Sequence, residues 1–145
     1  MRLPEGEARR RFATARVARL ATAGADGQPH LVPVTFALDG DLLYTVVDAK
    51  AKTTQRLRRL RNIGANPRVA LLADRYDEDW DQLWWARADG LAAVLAAGPG
   101  TAAPARLLAA RYPQYRENPP AGPVIRVFVS RWSGWAAGGE TATRT

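Results

Sequence analysis

The chain has 145 residues and a mass of 15.8 kDa, the size of one domain. Its 47% hydrophobic and 24% charged residues allow a buried core and exclude global disorder. The absence of Cys and the single His (His30) exclude disulfides, thiol nucleophiles, iron–sulfur clusters and Cys- or His-based metal sites.

A net charge of +7 and a pI near 10.7 favour anionic partners. Only two of the 21 basic residues are Lys, and they stand almost side by side at positions 50 and 52. No apolar run approaches the ~20 residues of a membrane span. No apolar signal core follows Arg9-Arg10-Arg11, so the expected location is cytoplasmic, with no membrane partner.

Residues 5–15 read as a short helix and Val17 to Thr22 as a strand. Ala23 to Gly27 is turn chemistry. From His30 to Leu38 the residues Val32, Val34, Phe36 and Leu38 alternate with the period of a half-buried strand. Pro33 inside that run requires an edge or a bulge. Asp39-Gly40 predicts a hairpin whose returning arm is Leu42 to Val47.

Thr53 to Ala65 predicts a helix with Leu57, Leu60, Ile63 and Gly64 as its inner stripe, Arg56, Arg58, Arg59 and Arg61 flanking it, and Thr53 or Thr54 as N-cap. Asn66-Pro67 ends it. Val69 to Ala73 is a short buried strand, and Arg75 to Asp81 an acidic connection. Leu83 to Ala88 and Leu91 to Leu95 form one long strand or a pair broken at Asp89-Gly90, where a bulge is expected. A helix over Ala105 to Tyr112 stops at Pro113, and Val124 to Trp132 is the last strand. The expected organisation is a single domain over residues 1–137 with a flexible tail over 138–145. The fold class is mainly β with helices (α+β), a small antiparallel barrel with helices at its openings.

The chemistry concentrates between the fourth strand and the following helix. Val47 to Thr54 places Lys50 and Lys52 at a helix N-terminus, which already carries about half a positive charge and free N–H groups. Each Lys there costs about 0.3–1 kcal/mol unless an anion is present. A phosphate docked at this turn accounts for the arrangement; Asp48 pairing with the lysines in solvent is the alternative.

The Arg56–Arg61 face is either solvated or a nucleic-acid stripe. No helix-turn-helix, zinc-finger or RNA-recognition pattern supports sequence readout, so a nucleic-acid partner is disfavoured. Trp84-Trp85, Trp132 and Trp135 exceed what one core needs, which indicates a subunit interface or a flat-ligand surface. His30 reads as a lone exposed His at a turn, and Asp77 to Asp81 as a solvated acidic loop. No Gly-x-Ser-x-Gly, P-loop or Gly-x-Gly-x-x-Gly occurs. No catalytic residue and no metal ligand is assigned, so an enzyme here depends on a cofactor.

The ordered set His30–Phe36, Asp39-Gly40, Leu42–Thr45, Lys50-Ala51-Lys52, Arg56-Leu57 and Asn66–Leu72 resembles the pyridoxamine 5′-phosphate oxidase-like proteins. These have the split β-barrel, FMN-binding-like fold. The likeness extends over about residues 5–135, and is strongest to the actinobacterial branch that uses the deazaflavin coenzyme F420. Trp84 to Gly90 is similar to one subgroup of it.

The resemblance implies a homodimer with cofactor sites at the subunit interface and a small-molecule substrate. It implies a ring lying against Val32–Phe36 and Leu43–Thr45, with Val34, Thr35, Tyr44 and Thr45 in contact. It implies a phosphate held by Lys50, Lys52 and Thr53, with Arg56 extending the anion site. Gln82 corresponds to a ring- or ribityl-contacting Gln, and Trp132 to a contact made by the C-terminal strand of the partner.

The Arg-Lys pair of the FMN-using oxidases is Ala51-Lys52 here, which argues against pyridoxamine phosphate oxidation. The implied function is an oxidoreductase transferring hydride from F420 to a small unsaturated or quinone-like substrate. The alternatives are an FMN-binding oxidase-like protein and a non-catalytic module binding flavin, F420 or haem.

Overall fold

The computed structural model describes residues 1–47 and 53–138, with side chains throughout except at 53–57. The first helix, α1 (Glu5–Thr14), carries Glu5 and Glu7 in its first turn and Arg11 in its last, the order the helix dipole favours. Strands β1 (Ala18–Ala23) and β2 (Pro29–Val34) form an antiparallel pair. Strands β3 (Ala37–Asp39) and β4 (Leu42–Val46) form the expected hairpin. Its turn takes Gly40 at a φ of 61°, a conformation that costs an L side chain strain.

Helix α2 (Thr53–Ala65) is followed by β5 (Arg68–Arg75), β6 (Trp84–Leu95), α3 (Ala102–Arg111), α4 (Pro113–Glu117) and β7 (Val124–Ala136). The seven strands make one sheet in the order β2-β1-β5-β6-β7-β4-β3, and every pairing is antiparallel. The two edge strands are consecutive in the chain, joined only by Thr35 and Phe36. Val34 and Ala37 can therefore be at most about 11 Å apart. The sheet must curl until its edges meet at that end, and it stays open at the other. This is the split antiparallel barrel expected from the sequence.

Inside it pack Leu20, Phe36, Leu43, Leu71, Ile125 and Val127, none of them exposed to solvent. Helix α1 closes one opening through Phe12, whose ring meets Phe36 at 4.9 Å and Trp132 at 5.3 Å between centroids. A second, smaller cluster of Ala37, Val46, Leu108, Tyr112 and Val124 lies under α3 and α4.

Several sequence expectations are corrected. The run His30–Leu38 is two strands, because the chain crosses from one sheet edge to the other at Thr35-Phe36. Pro33 sits on the edge strand β2, where its missing N–H is harmless. The last strand continues through Ala136, so Trp132 to Trp135 lie within it. Strand β5 reaches Arg75, α3 begins at Ala102, and α4 is an additional short helix. On α2, Gly64 is exposed, while Arg59 and Asn62 join Ile63 on the buried side. The register shift at Asp89/Gly90 is where the sequence placed it. Its extra residue is Ser130 on β7, whose hydroxyl donates to the Asp89 carbonyl at 3.1 Å.

Candidate functional site

Lys50 and Lys52 lie outside the described residues. Thr53 and Arg56 stand in the first turns of α2, which begins at Thr53 as expected. Strand β4 leads into this junction. Alternation along β4 turns Leu43, Thr45 and Val47 toward the barrel interior and Tyr44 and Val46 toward the α3/α4 cluster. Thr45 is fully buried, and its Oγ1 has no hydrogen-bond partner among the described residues. A buried hydroxyl left unpaired costs about 1–3 kcal/mol, so the end of β4 carries a polar group that the described residues leave unsatisfied.

The expected ring contacts divide into two sets. Val34, buried in the main core, shares the interior with Thr45. Thr35 and Tyr44 face the α3/α4 cluster: Thr35 Oγ1 lies 2.7 Å from the Tyr115 hydroxyl, and Tyr44, like Tyr115 and Leu107, packs against that cluster. Behind Thr35 the backbone is clamped. The Phe36 N–H donates to the Tyr112 hydroxyl at 3.1 Å, and Arg111 donates to the Phe36 carbonyl at 3.2 Å. Arg111 also donates to the Ala13 and Ala15 carbonyls and stacks on the Phe36 ring at 4.5 Å. Nothing in the sequence pattern pointed to Arg111, Tyr112 or Tyr115. An Arg-Tyr-Pro run after an Ala-rich helix reads as a solvated helix end.

Gln82 and Trp132 stand toward the end of the sheet opposite the β4–α2 junction. Val124 pairs with Val46, and Trp132 stands about eight residues further along β7, on the order of 25 Å at the rise of a strand. Trp132 is buried in its own barrel. Its Nε1–H donates to Asp41 at 3.0 Å and its backbone N–H to Glu5 at 3.1 Å. Gln82 is exposed in the turn before β6, its side chain 3.5 Å from Arg75.

At that same end Trp85 and Trp135 pair across β6 and β7. With Arg2, Arg87 and Arg131 they line an open groove of about 880 Å³, and Arg87 lies over the Trp85 ring at 5.8 Å. The surplus aromatics thus include two outside the core. Further along the same outer face Leu91 and Phe128 pair with each other, 52% and 54% exposed.

The basic face of α2 is also divided. Arg58 and Arg61 are exposed and line a cleft with the Gly24–Gln28 turn. Arg59 turns inward, and burial lowers its guanidinium pKa. His30 is half-buried on β2 rather than exposed at a turn, and its Nδ1 has no hydrogen-bond partner among the described residues. Burial, and then the charges of Arg58 and Arg59, hold its pKa below the ordinary value. Asn62 donates to Thr22 at 3.1 Å beside it. Among the described residues no helix is long and apolar enough to cross a membrane.

The comparisons with known proteins bear on the fold and the family. A 56-residue segment is 41% identical to the 5a,11a-dehydrotetracycline/5a,11a-dehydrooxytetracycline reductase of Streptomyces rimosus, covering 39% of this chain and 38% of that protein. A structure described as a FAD-binding protein of Mesorhizobium loti superposes with a TM-score of 0.67 at 22% identity, covering 92% of this chain and 93% of that one. One described as a haem-binding protein of Mycobacterium smegmatis gives 0.70 at 22% identity, covering 92% and 54%. These two likenesses establish the fold. The sequence profile of pyridoxamine 5′-phosphate oxidase matches residues 4–136, and the chain belongs to that family.

Proposed function

We propose that this protein is a homodimeric oxidoreductase that binds the deazaflavin coenzyme F420 and reduces a small unsaturated or quinone-like substrate. The observation that carries the reading is the β4–α2 junction. The Thr45 hydroxyl, buried and without a hydrogen-bond partner among the described residues, stands near the end of β4, and the chain then runs through Lys50 and Lys52 into the N-terminus of α2. These groups fit an anionic, hydrogen-bonding cofactor. The lysines and the N–H groups of Thr53 and its neighbours hold its phosphate, Arg56 and the exposed Arg58 accompany its negative tail, and Thr35 and Tyr44 border its ring from one side of the sheet while Val34 and Thr45 back them from the barrel interior.

When bound, the reduced deazaflavin supplies a hydride. The chain's own task is to fix the ring, exclude water from one face and leave the other to the substrate. F420 is favoured over FMN because its phosphodiester and oligoglutamate tail extend the negative charge along the Arg-bearing side of α2. The reductase named above, similar over part of its length, supports a polycyclic, unsaturated acceptor.

A second copy completes the site. Gln82 and the aromatic end of β7 lie far from the junction within one chain, and an antiparallel partner would bring its copies of them there. Trp135, 37% exposed, presents its ring at that end, whereas Trp132 is engaged with Phe12 and Asp41 in its own barrel.

Steady-state assays with reduced F420 and a panel of enones and quinones test the activity. Turnover of at least one acceptor supports it. Tight cofactor binding without turnover on any acceptor favours the carrier reading instead.

A further inference from the structure

We propose that Tyr115 is a positioning residue that sets the orientation of the Thr35 hydroxyl at the ring-side edge of the cofactor site. The inference rests on the reading that Thr35 borders that site. Thr35 lies at the crossing between the two sheet edges, where no strand ladder fixes it. Its neighbour Phe36 is held independently, by the Tyr112 hydroxyl at its N–H and by Arg111 at its carbonyl. These two bonds brace the crossing against α1 and α3, because Tyr112 also donates from its hydroxyl toward the Arg16 carbonyl at 2.9 Å and Arg111 reaches Ala13.

The Tyr115–Thr35 bond of 2.7 Å therefore adds little to holding the backbone. What it fixes is the one freedom left, the rotation of the Thr35 side chain about χ1 and the direction of its hydroxyl. Tyr115 is itself held edge-on to the Tyr112 ring at 5.7 Å. Both partners are half-buried and border an open cleft of about 620 Å³ shared with Arg16, Val17 and Gln114. A molecule lying against this edge meets a hydroxyl whose donor or acceptor side has been chosen for it. A bond placed at an opening, between groups whose backbones are already secured, is arranged for recognition rather than for folding.

The test compares Tyr115→Phe, Thr35→Val and Thr35→Ser with the wild type in the full-length protein. It uses F420 fluorescence titration, the absorption spectrum of the bound deazaflavin and thermal melting. Tyr115→Phe and Thr35→Val should each weaken F420 binding roughly 3- to 10-fold, the loss of one neutral hydrogen bond. Each should also shift the bound spectrum while melting changes little. Thr35→Ser should retain affinity and spectrum, and the double variant Tyr115→Phe/Thr35→Val should be no worse than either single change.

Unaltered affinity and spectrum in Tyr115→Phe overturn the proposal while leaving the functional reading intact. So does a loss fully matched by a drop in melting temperature, since that marks a structural brace. A wild-type protein that binds neither F420 nor FMN overturns the functional reading itself and the proposal with it.

Discussion

At the scale of single residues the account depends on a few polar groups whose surroundings have been taken from them. Thr45 has lost water without gaining a partner among the described residues. Lys50 and Lys52 are the only lysines in an Arg-rich chain and precede a helix N-terminus. Charged hydrogen bonds are worth about 1.5–3 kcal/mol each. Lys50→Ala and Lys52→Ala should therefore each raise the dissociation constant of the cofactor roughly 10- to 100-fold, with the folded state unchanged, as read by fluorescence titration beside circular dichroism.

The sequence made this turn legible because two like charges at a helix start conflict with the local dipole. It did not reveal Arg111 and Tyr112. Their importance lies in reaching carbonyls of Ala13, Arg16 and Phe36 far away in the chain, and no local pattern records that. Nor did the sequence show that Trp132 belongs to the core and Trp135 to the surface, because it predicts a last strand ending at Trp132, whereas the strand runs to Ala136 and residues an odd number apart face opposite sides.

At the scale of elements the hydrophobic period was a reliable guide to which way side chains face, and a poor one to which strand is the neighbour. Val32, Val34 and Phe36 are all buried, so the alternation runs unbroken through the crossing from β2 to β3. The hydrogen-bonding partner nevertheless changes there from β1 to β4. Glycines report the elements more directly. A Cβ at Gly90 would lie 2.2 Å from the Phe128 carbonyl oxygen, whereas one at Gly64 on α2 meets nothing within 4 Å. Gly90→Ala should destabilise the protein by about 1–3 kcal/mol or prevent folding. Gly64→Ala should stabilise it by about 0.4–1 kcal/mol. Chemical denaturation distinguishes them by opposite shifts of the midpoint.

Helix α1 carries its own pH dependence. Hydrogen bonds from Arg10 and then Arg11 lower the Glu7 carboxyl from its ordinary 4.5 to about 2. A depressed carboxylate stabilises the fold above its unfolded value, and the contribution fades as pH falls from about 4.5 toward 2. Amide protection factors in α1, corrected for the intrinsic pH dependence of exchange, should fall over that window, and Glu7→Gln should remove the fall. The effect will be small and salt-sensitive, because the pair is exposed.

At the scale of the whole molecule one barrel keeps the residues of the proposed site apart. The β4–α2 junction is at one end of the sheet, and Gln82, Trp85 and Trp135 are at the other. Between them the outer face of β6 and β7 exposes Leu91 and Phe128 as a directly paired apolar couple, the kind of surface a second copy covers. Light scattering of the wild type should give a dimer, and Phe128→Asp should give a monomer with weakened cofactor binding. A monomeric wild type would contradict the shared site.

The most direct test of the central claim, an anionic cofactor seated between β4 and α2, is a parallel titration of the full-length apoprotein with F420 and with FMN. It is repeated on the Lys50→Ala/Lys52→Ala double variant. The account predicts saturable binding of one F420 per chain, tighter than FMN, and its loss in the double variant. Equal affinity for F420 with and without the two lysines, or no saturable binding of either cofactor, would contradict it.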